Sequence, residues 1–150
     1  MKVIGFNFTK ISAERFPNQV KNLVFNTDVE FTEVEKEKVD MIKDDESIRI
    51  GFTYAVNYQE KSDDNKDNKS KSPPLGNIIL TGNILLTATK DELKEIFKYW
   101  KKKQLPPPVK VSLFNLILKK CSPKAVQLED EINLPIHLPL PQIKQQTQEN

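Results

Sequence analysis

The stretch GNIILTGNILLTATKDEL, residues 76 to 93, contains a strand and the start of a helix in one continuous run. Residues 76–88 are rich in branched side chains and apolar on both faces, which predicts a β-strand covered on both sides. Gly82 lies within this strand, at a position that suits a bulge or a close backbone contact. Thr89 is then a predicted helix N-cap, because acidic residues follow in the first turn, where negative charge suits the helix dipole.

Three segments before this strand show the period-two alternation that half-buried strands require. No crossover helix separates them, and the link at 35–46 is polar and of the hairpin type. The four strands are therefore predicted to pair in antiparallel order. The predicted bounds and apolar faces are 3–9 with Ile4, Phe6 and Phe8, 22–34 with Leu23, Phe25, Val29 and Phe31, and 48–58 with Ile48, Ile50, Phe52, Tyr54, Val56 and Tyr58.

The first predicted helix is amphipathic. Its opposite face is charged, and the lysines at 101–103 provide positive charge at its C-terminal end, where the dipole favours it. Such a helix is expected to cover one face of the sheet. Its apolar residues follow helical spacing at Leu93, Ile96, Phe97 and Trp100.

A proline run at 105–108 forces an extended break after this helix. Pro108 suits the first position of a second helix, predicted over 109–121 and apolar nearly all round. Such a helix needs contacts on several sides, so it is a candidate subunit interface, with burial under the other helix as the alternative. Ser122 then predicts the cap of one more short helical turn, with Pro123 at its first position.

The segment INLPIHLPLPQI, residues 132–143, is named the strap here. Its prolines at 135, 139 and 141 exclude a helix and would each remove a donor from a sheet ladder. Half of its residues are apolar, so the strap is either a rigid wall of a binding groove or a cap on the end of the core. Buried apolar residues are most often packing, which favours the cap, and the two roles are compatible.

Composition limits the class of protein. A length of 150 residues fits one domain, predicted over 1–143, with a disordered loop at 60–74 and a polar tail at 144–150. One cysteine excludes an internal disulfide and suggests a reducing compartment, and no stretch is long and apolar enough for a membrane span. The net charge of +2 comes from intermixed residues, which argues little for a nucleic-acid partner. The expected location is the cytoplasm.

The order of these parts resembles the SecB family of export chaperones. The residues that carry the resemblance are GNILLTATKDEL entering the first helix, LPPPVKVSLFNLILKKC as broken loop and second helix, and LPIHLPLPQI as the closing segment. The resemblance covers mainly residues 76–143, and the first three strands match in pattern. It implies an α+β fold, a four-stranded antiparallel sheet with two helices packed on one face.

The resemblance also implies a function without catalysis, cofactor, metal or nucleotide. The chain would be an ATP-independent holdase that binds unfolded or pre-export polypeptides in apolar grooves and forms a homo-oligomer, with a translocation factor left open as a partner. A dedicated adaptor or assembly subunit for one specific protein is the alternative. The client-binding candidates are Leu105, Leu134, Ile136, Leu138 and Leu140, and the oligomer-interface candidates are Val111, Phe114 and Leu118.

An enzyme has little support in the sequence. His137 is the sole histidine and has no nearby sequence partner that would make it a base, so we interpret it as a satisfied structural histidine. Cys121 ends an apolar helix and lacks the electropositive setting of a reactive thiolate beyond its two neighbouring lysines, which predicts an inert thiol. No phosphate-binding or zinc-type motif is present. Carboxylates brought together by folding would not be visible at this level.

Overall fold

The computed structural model describes residues 1–19, 22–37, 46–61, 74–139 and 141. Four long strands precede two helices along the chain, and the strands form one antiparallel sheet in the order β1-β4-β3-β2. This architecture confirms the predicted α+β fold class. The bounds are β1 (Lys2–Arg15), β2 (Leu23–Glu37), β3 (Glu46–Glu60), β4 (Pro74–Ala88), α1 (Lys90–Trp100) and α2 (Pro107–Glu131).

Most of the loop predicted at 60–74, and all of the tail at 144–150, lie outside the described residues. The predicted link at 35–46 is shorter than expected, because β2 continues to Glu37 and β3 begins at Glu46. Neither helix of the described residues is long and apolar enough to cross a membrane.

The core lies on one face of the sheet, under the helices. Strand β3 follows the predicted alternation, because its even-numbered residues from Ile48 to Tyr58 are all buried. In β4 the even-numbered residues from Gly76 to Ala88 are buried as well, but Ile79 and Leu85 on the opposite face are only half-buried. The prediction that β4 is covered on both sides is therefore correct for one face. Leu93 and Ile96 of α1 belong to the same core.

Gly82 makes the close contact that its position predicted. A Cβ atom there would lie 2.2 Å from the backbone oxygen of Asn7 and 2.8 Å from Cζ of Phe52. The absent side chain leaves space for the Phe52 ring, on which the ring of Phe6 stacks at a centroid distance of 5.1 Å. Phe8 in turn meets Phe6 edge-on. A glycine in β4 thus permits an aromatic cluster that ties edge strand β1 to the centre of the sheet.

Helix α1 begins at the predicted cap. The Thr89 hydroxyl accepts a hydrogen bond from the Glu92 backbone N–H at 3.3 Å, and the Glu92 carboxylate accepts one from the Thr89 N–H at 3.0 Å. This reciprocal pair satisfies two donors that the helix start would otherwise leave unpaired. The helix terminates through Lys103, whose positive φ of 58° turns the chain toward α2.

Helix α2 differs from its prediction, because it is one continuous helix of 25 residues with Pro123 in its interior. No break or new cap occurs at Ser122, since packing against the sheet holds the helix together across the hydrogen bond that proline cannot donate. The helix is not buried all round either. Its buried side chains recur at every fourth position, at Leu113, Ile117, Cys121, Ala125 and Glu129.

Candidate binding groove and strap

A groove opens between the middle of β2 and the start of α2. Its cavity has a volume of about 290 Å³, just below the roughly 300 Å³ at which pockets for small molecules begin. The space therefore fits one or two side chains of a polypeptide. The lining residues are Val29, Glu30, Phe31, Lys103, Gln104, Leu105, Lys110 and Phe114.

The apolar floor of the groove joins three separate elements. Phe31 of β2 and Phe114 of α2 meet edge-on, with ring centroids 5.4 Å apart. Leu105 lies in the turn between the helices and is buried. The next residue, Pro106, keeps the chain extended before α2 begins at Pro107. These contacts bring one client-binding candidate, Leu105, together with one interface candidate, Phe114.

Two lysines at the edge of this groove lie over aromatic rings. The Nζ atom of Lys103 is 5.1 Å from the centroid of Trp100, and that of Lys110 is 5.8 Å from the centroid of Phe114. These distances fit cation–π contacts, which hold each ammonium group near the cavity. A second cavity of about 290 Å³ adjoins the first and shares Gln104 with it. Its other lining residues are Lys98, Tyr99 and Lys102.

The three interface candidates form a stripe on one side of α2, with the spacing i, i+3 and i+7. Val111 is 61% exposed and Leu118 is 40% exposed, whereas Phe114 between them is half-buried against Phe31. The stripe therefore runs from the groove onto the open surface of the helix.

The strap begins where α2 ends. Asn133 adopts a positive φ of 55°, and the Leu134 N–H donates to the Glu129 carbonyl at 2.9 Å, so the helix closes in a Schellman-type turn. The side chain of Arg15 donates to the Asn133 carbonyl from β1. The turn directs the following residues back across the sheet.

The client-binding candidates in the strap have different environments. Leu134 is only 4% exposed and belongs to the core, above Gly76 of β4. Ile136 is half-buried, Leu138 is 39% exposed, and Leu140 lies outside the described residues. The strap thus caps the core at its start and presents apolar surface further along.

A buried polar network attaches the strap to the protein. Glu129 accepts hydrogen bonds from the Tyr58 hydroxyl, from the His137 backbone N–H at 2.8 Å, and from Nδ1 of the same histidine. The Nε2 atom of His137 lies 2.7 Å from the hydroxyl of Tyr54. The tautomer that satisfies every group carries its proton on Nδ1 and accepts from Tyr54 at Nε2. This confirms the interpretation of His137 as a satisfied structural histidine.

Burial is the main cause of the raised pKa values of three side chains in or near this network. It raises the pKa of Tyr58, and the hydrogen bond to Glu129 raises that pKa further. Burial also raises the pKa of Tyr54. The pKa of the Cys121 thiol is raised by burial to about 12, which agrees with the predicted inert thiol, because the thiolate is the reactive form.

Sequence reasoning missed several residues of the groove. Val29 and Phe31 were predicted as the dry face of a strand, and Lys103 as a partner of the helix dipole. Glu129 was missed as the acceptor that holds the strap. No local pattern distinguishes an edge-strand phenylalanine that lines a groove from one that fills a core.

Of the comparisons with known proteins, the one with solved structures gives a match. No protein-family model and no curated protein matches the chain. Among solved structures, it is similar to a SecB-like chaperone of Mycobacterium tuberculosis, determined in complex with a ChAD peptide from the HigA1 antitoxin. The TM-score is 0.52 at 12% sequence identity, over 97% of this chain and 92% of the other. The chain therefore has the fold of the SecB-like chaperones.

Proposed function

We propose that this protein is a non-catalytic, ATP-independent holdase that binds extended apolar segments of unfolded or pre-export polypeptides in the cytoplasm. The groove between β2 and α2 is its binding site. The observation that carries the proposal is the cavity beside the Phe31–Phe114 pair, which is apolar on its floor, open at its edge and large enough for one or two side chains.

The strap extends this binding surface in the proposal. Phe25 on β2 is 45% exposed and its ring meets that of His137 edge-on at 6.4 Å. The exposed Leu138 follows directly in the chain. By register, Phe25, Val29 and Phe31 all share the helix-side face of β2. An extended client lying along this edge strand would meet apolar side chains from the strap to the groove.

A dedicated adaptor for one protein partner is the second candidate. It is supported by the similar SecB-like chaperone, whose bound ligand is a peptide from one antitoxin. The adaptor and the holdase would use the same groove, but they differ in the range of clients. The groove of an adaptor should discriminate strongly among peptides of equal hydrophobicity.

The experiment is suppression of aggregation. A chemically unfolded test protein is diluted with and without this protein, in the absence of ATP, and light scattering is followed. Full suppression of several unrelated clients is expected of a holdase. An adaptor would protect none of them, so failure to protect every client would rule out the holdase in favour of the adaptor.

Matched variants connect the activity to the groove. Phe114→Ser removes a ring that lines the cavity, and it should weaken suppression. Ile11→Ser is the control, because Ile11 is an exposed apolar residue on β1 that does not line the groove. Equal loss in both variants would assign the activity to general surface hydrophobicity.

Self-association through α2 is part of the proposal. Exposed Val111 and Leu118 lie seven residues apart on one side of the helix, and apolar surface of this kind favours a second copy. Light scattering should give an oligomeric mass for the wild type and a smaller one for the Val111→Lys, Leu118→Lys variant. An unchanged mass would exclude this side of α2 as the interface.

A further inference from the structure

We propose that the groove prefers acidic clients, in which an apolar side chain is flanked by carboxylates. The inference rests on the proposed function and adds the chemical class of the bound segment. It comes from the charged side chains around the two cavities, among which lysines outnumber acidic residues.

The edge of the groove is positive. Lys103 and Lys110 line the cavity itself, and Lys98 and Lys102 line the adjoining one. Glu30 is the single acidic residue among the lining residues of the two cavities. The site therefore has a surplus of cations around an apolar floor, and a carboxylate on the client would supply the missing partner.

These lysines are available to a client. Within the described ranges, none of the four forms a salt bridge with an acidic residue. Lys103 and Lys110 are held over the rings of Trp100 and Phe114, so their ammonium groups stay beside the cavity. A cation placed in advance in this way loses less entropy when it meets a carboxylate.

The geometry also limits where the carboxylates would lie. The cavity accepts the apolar side chain between Phe31 and Leu105, whereas the lysines belong to the last turn of α1, the turn between the helices and the first turn of α2. In an extended chain every second side chain points to the same side, so carboxylates two residues before or after the apolar residue would face the lysines.

The test uses three labelled peptides with the same Leu-Phe centre and with flanks of glutamate, glutamine or lysine. Binding to the full-length protein is measured by fluorescence anisotropy at low and high salt. The glutamate peptide should bind about tenfold more tightly than the glutamine peptide at low salt, and the difference should disappear near 1 M salt, where the Debye length is about 3 Å.

Charge reversal identifies the lysines responsible. The Lys103→Glu, Lys110→Glu variant should invert the order of the glutamate and lysine peptides. The control is Lys119→Glu, Lys120→Glu, which makes the same charge change at two exposed residues of α2 outside both cavities. It should keep the native order. A circular dichroism melt checks that both variants are folded, and Lys103→Gln, Lys110→Gln replaces the first variant if it is not.

The outcomes separate this inference from the function on which it rests. The acidic preference is wrong if all three peptides bind equally, or if the charge reversal at the groove leaves the order of peptide affinities unchanged. In either case the groove remains the proposed binding site. If the lysine peptide binds most tightly to the native protein, the preference has the opposite sign. If no peptide binds, including the neutral one, the proposed function fails and the preference fails with it.

Discussion

The Nε2 atom of His137 lies 2.7 Å from the hydroxyl of Tyr54, and this hydrogen bond joins the strap to the centre of the sheet. The two residues are 83 positions apart in the chain. The histidine is held from its other side by Glu129, so both ring nitrogens are engaged. Polar groups at this depth are stable only when all of them are paired, which makes the network sensitive to the loss of one member.

Replacing Glu129 with glutamine should cost at least about 2 kcal/mol of unfolding free energy, because an amide NH₂ group then faces donors that need an acceptor. Urea unfolding measures the loss. Glu131→Gln is the matched control at an exposed site on the same helix, and it should stay within about 0.5 kcal/mol of the wild type. Equal midpoints for the two variants would mean that the network does not hold the strap.

Alkaline pH should destabilise the protein through its buried tyrosines. The pKa values of Tyr54 and Tyr58 are raised in the folded state above the ordinary value of 10.0. Both side chains are neutral below pH 10, so this contribution to stability is fully present there. Above pH 10 the unfolded chain ionises first, and stability falls by up to about 1.4 kcal/mol per pH unit for each tyrosine.

The variant Tyr58→Phe should show a shallower decline of unfolding free energy between pH 10 and the folded-state pKa than the wild type. Tyr99→Phe is its control, because Tyr99 is exposed on α1. The same slope in all three proteins would contradict burial as the cause of the raised pKa values.

The start of the strap should contribute to the stability of the fold, whereas the residues after His137 should contribute little. Leu134→Ala should cost about 2–5 kcal/mol of unfolding free energy, as expected for truncation in a packed core. Leu138→Ala should cost well under 1 kcal/mol, since surface substitutions stay within roughly 0.5 kcal/mol. In the proposed function the second variant weakens peptide binding, measured by anisotropy. A large stability loss in Leu138→Ala would make the whole strap a core cap.

Two glycines offer a matched test of close packing. Gly82→Ala should destabilise by about 1–3 kcal/mol, because its methyl group would press on the Asn7 carbonyl and on the Phe52 ring. Gly5→Ala should cost less, because the nearest atom, Cβ of Leu85, lies at an ordinary contact distance of 3.4 Å. Thermal denaturation compares the two, and a smaller effect at Gly82 would show that the aromatic cluster can shift.

Removing the proline inside α2 should stabilise the protein. Pro123 is exposed, has no backbone N–H and occupies a helix interior, where proline is about 3 kcal/mol less favourable than alanine. Pro123→Ala should therefore raise the unfolding free energy by about 1–3 kcal/mol. Lys120→Ala, at another exposed position of the helix, should change it little. A destabilised Pro123→Ala would mean that the proline shapes the path of α2 over the sheet.

Local patterns in the sequence predicted those features that depend on neighbouring residues. Alternation identified the buried face of β3, because successive side chains of a strand point to opposite sides. Thr89 identified the start of α1, since capping involves only residues within one turn. The local prediction of a new helical turn at Pro123 was wrong, because packing against the sheet outweighs the local cost of proline within α2. The strand order β1-β4-β3-β2 is not a local property either.

The sequence by itself determined an antiparallel sheet, two helices after it and an apolar, proline-rich strap, because each depends on periodicity or on proline and capping chemistry. Only the tertiary structure placed Phe31, Leu105 and Phe114 around one cavity and Glu129 against Tyr58 and His137. These contacts join residues that are far apart in the chain or that are brought back by the turn at Asn133. The physical reason is that a groove forms between elements, so its residues carry no signal until the elements are packed.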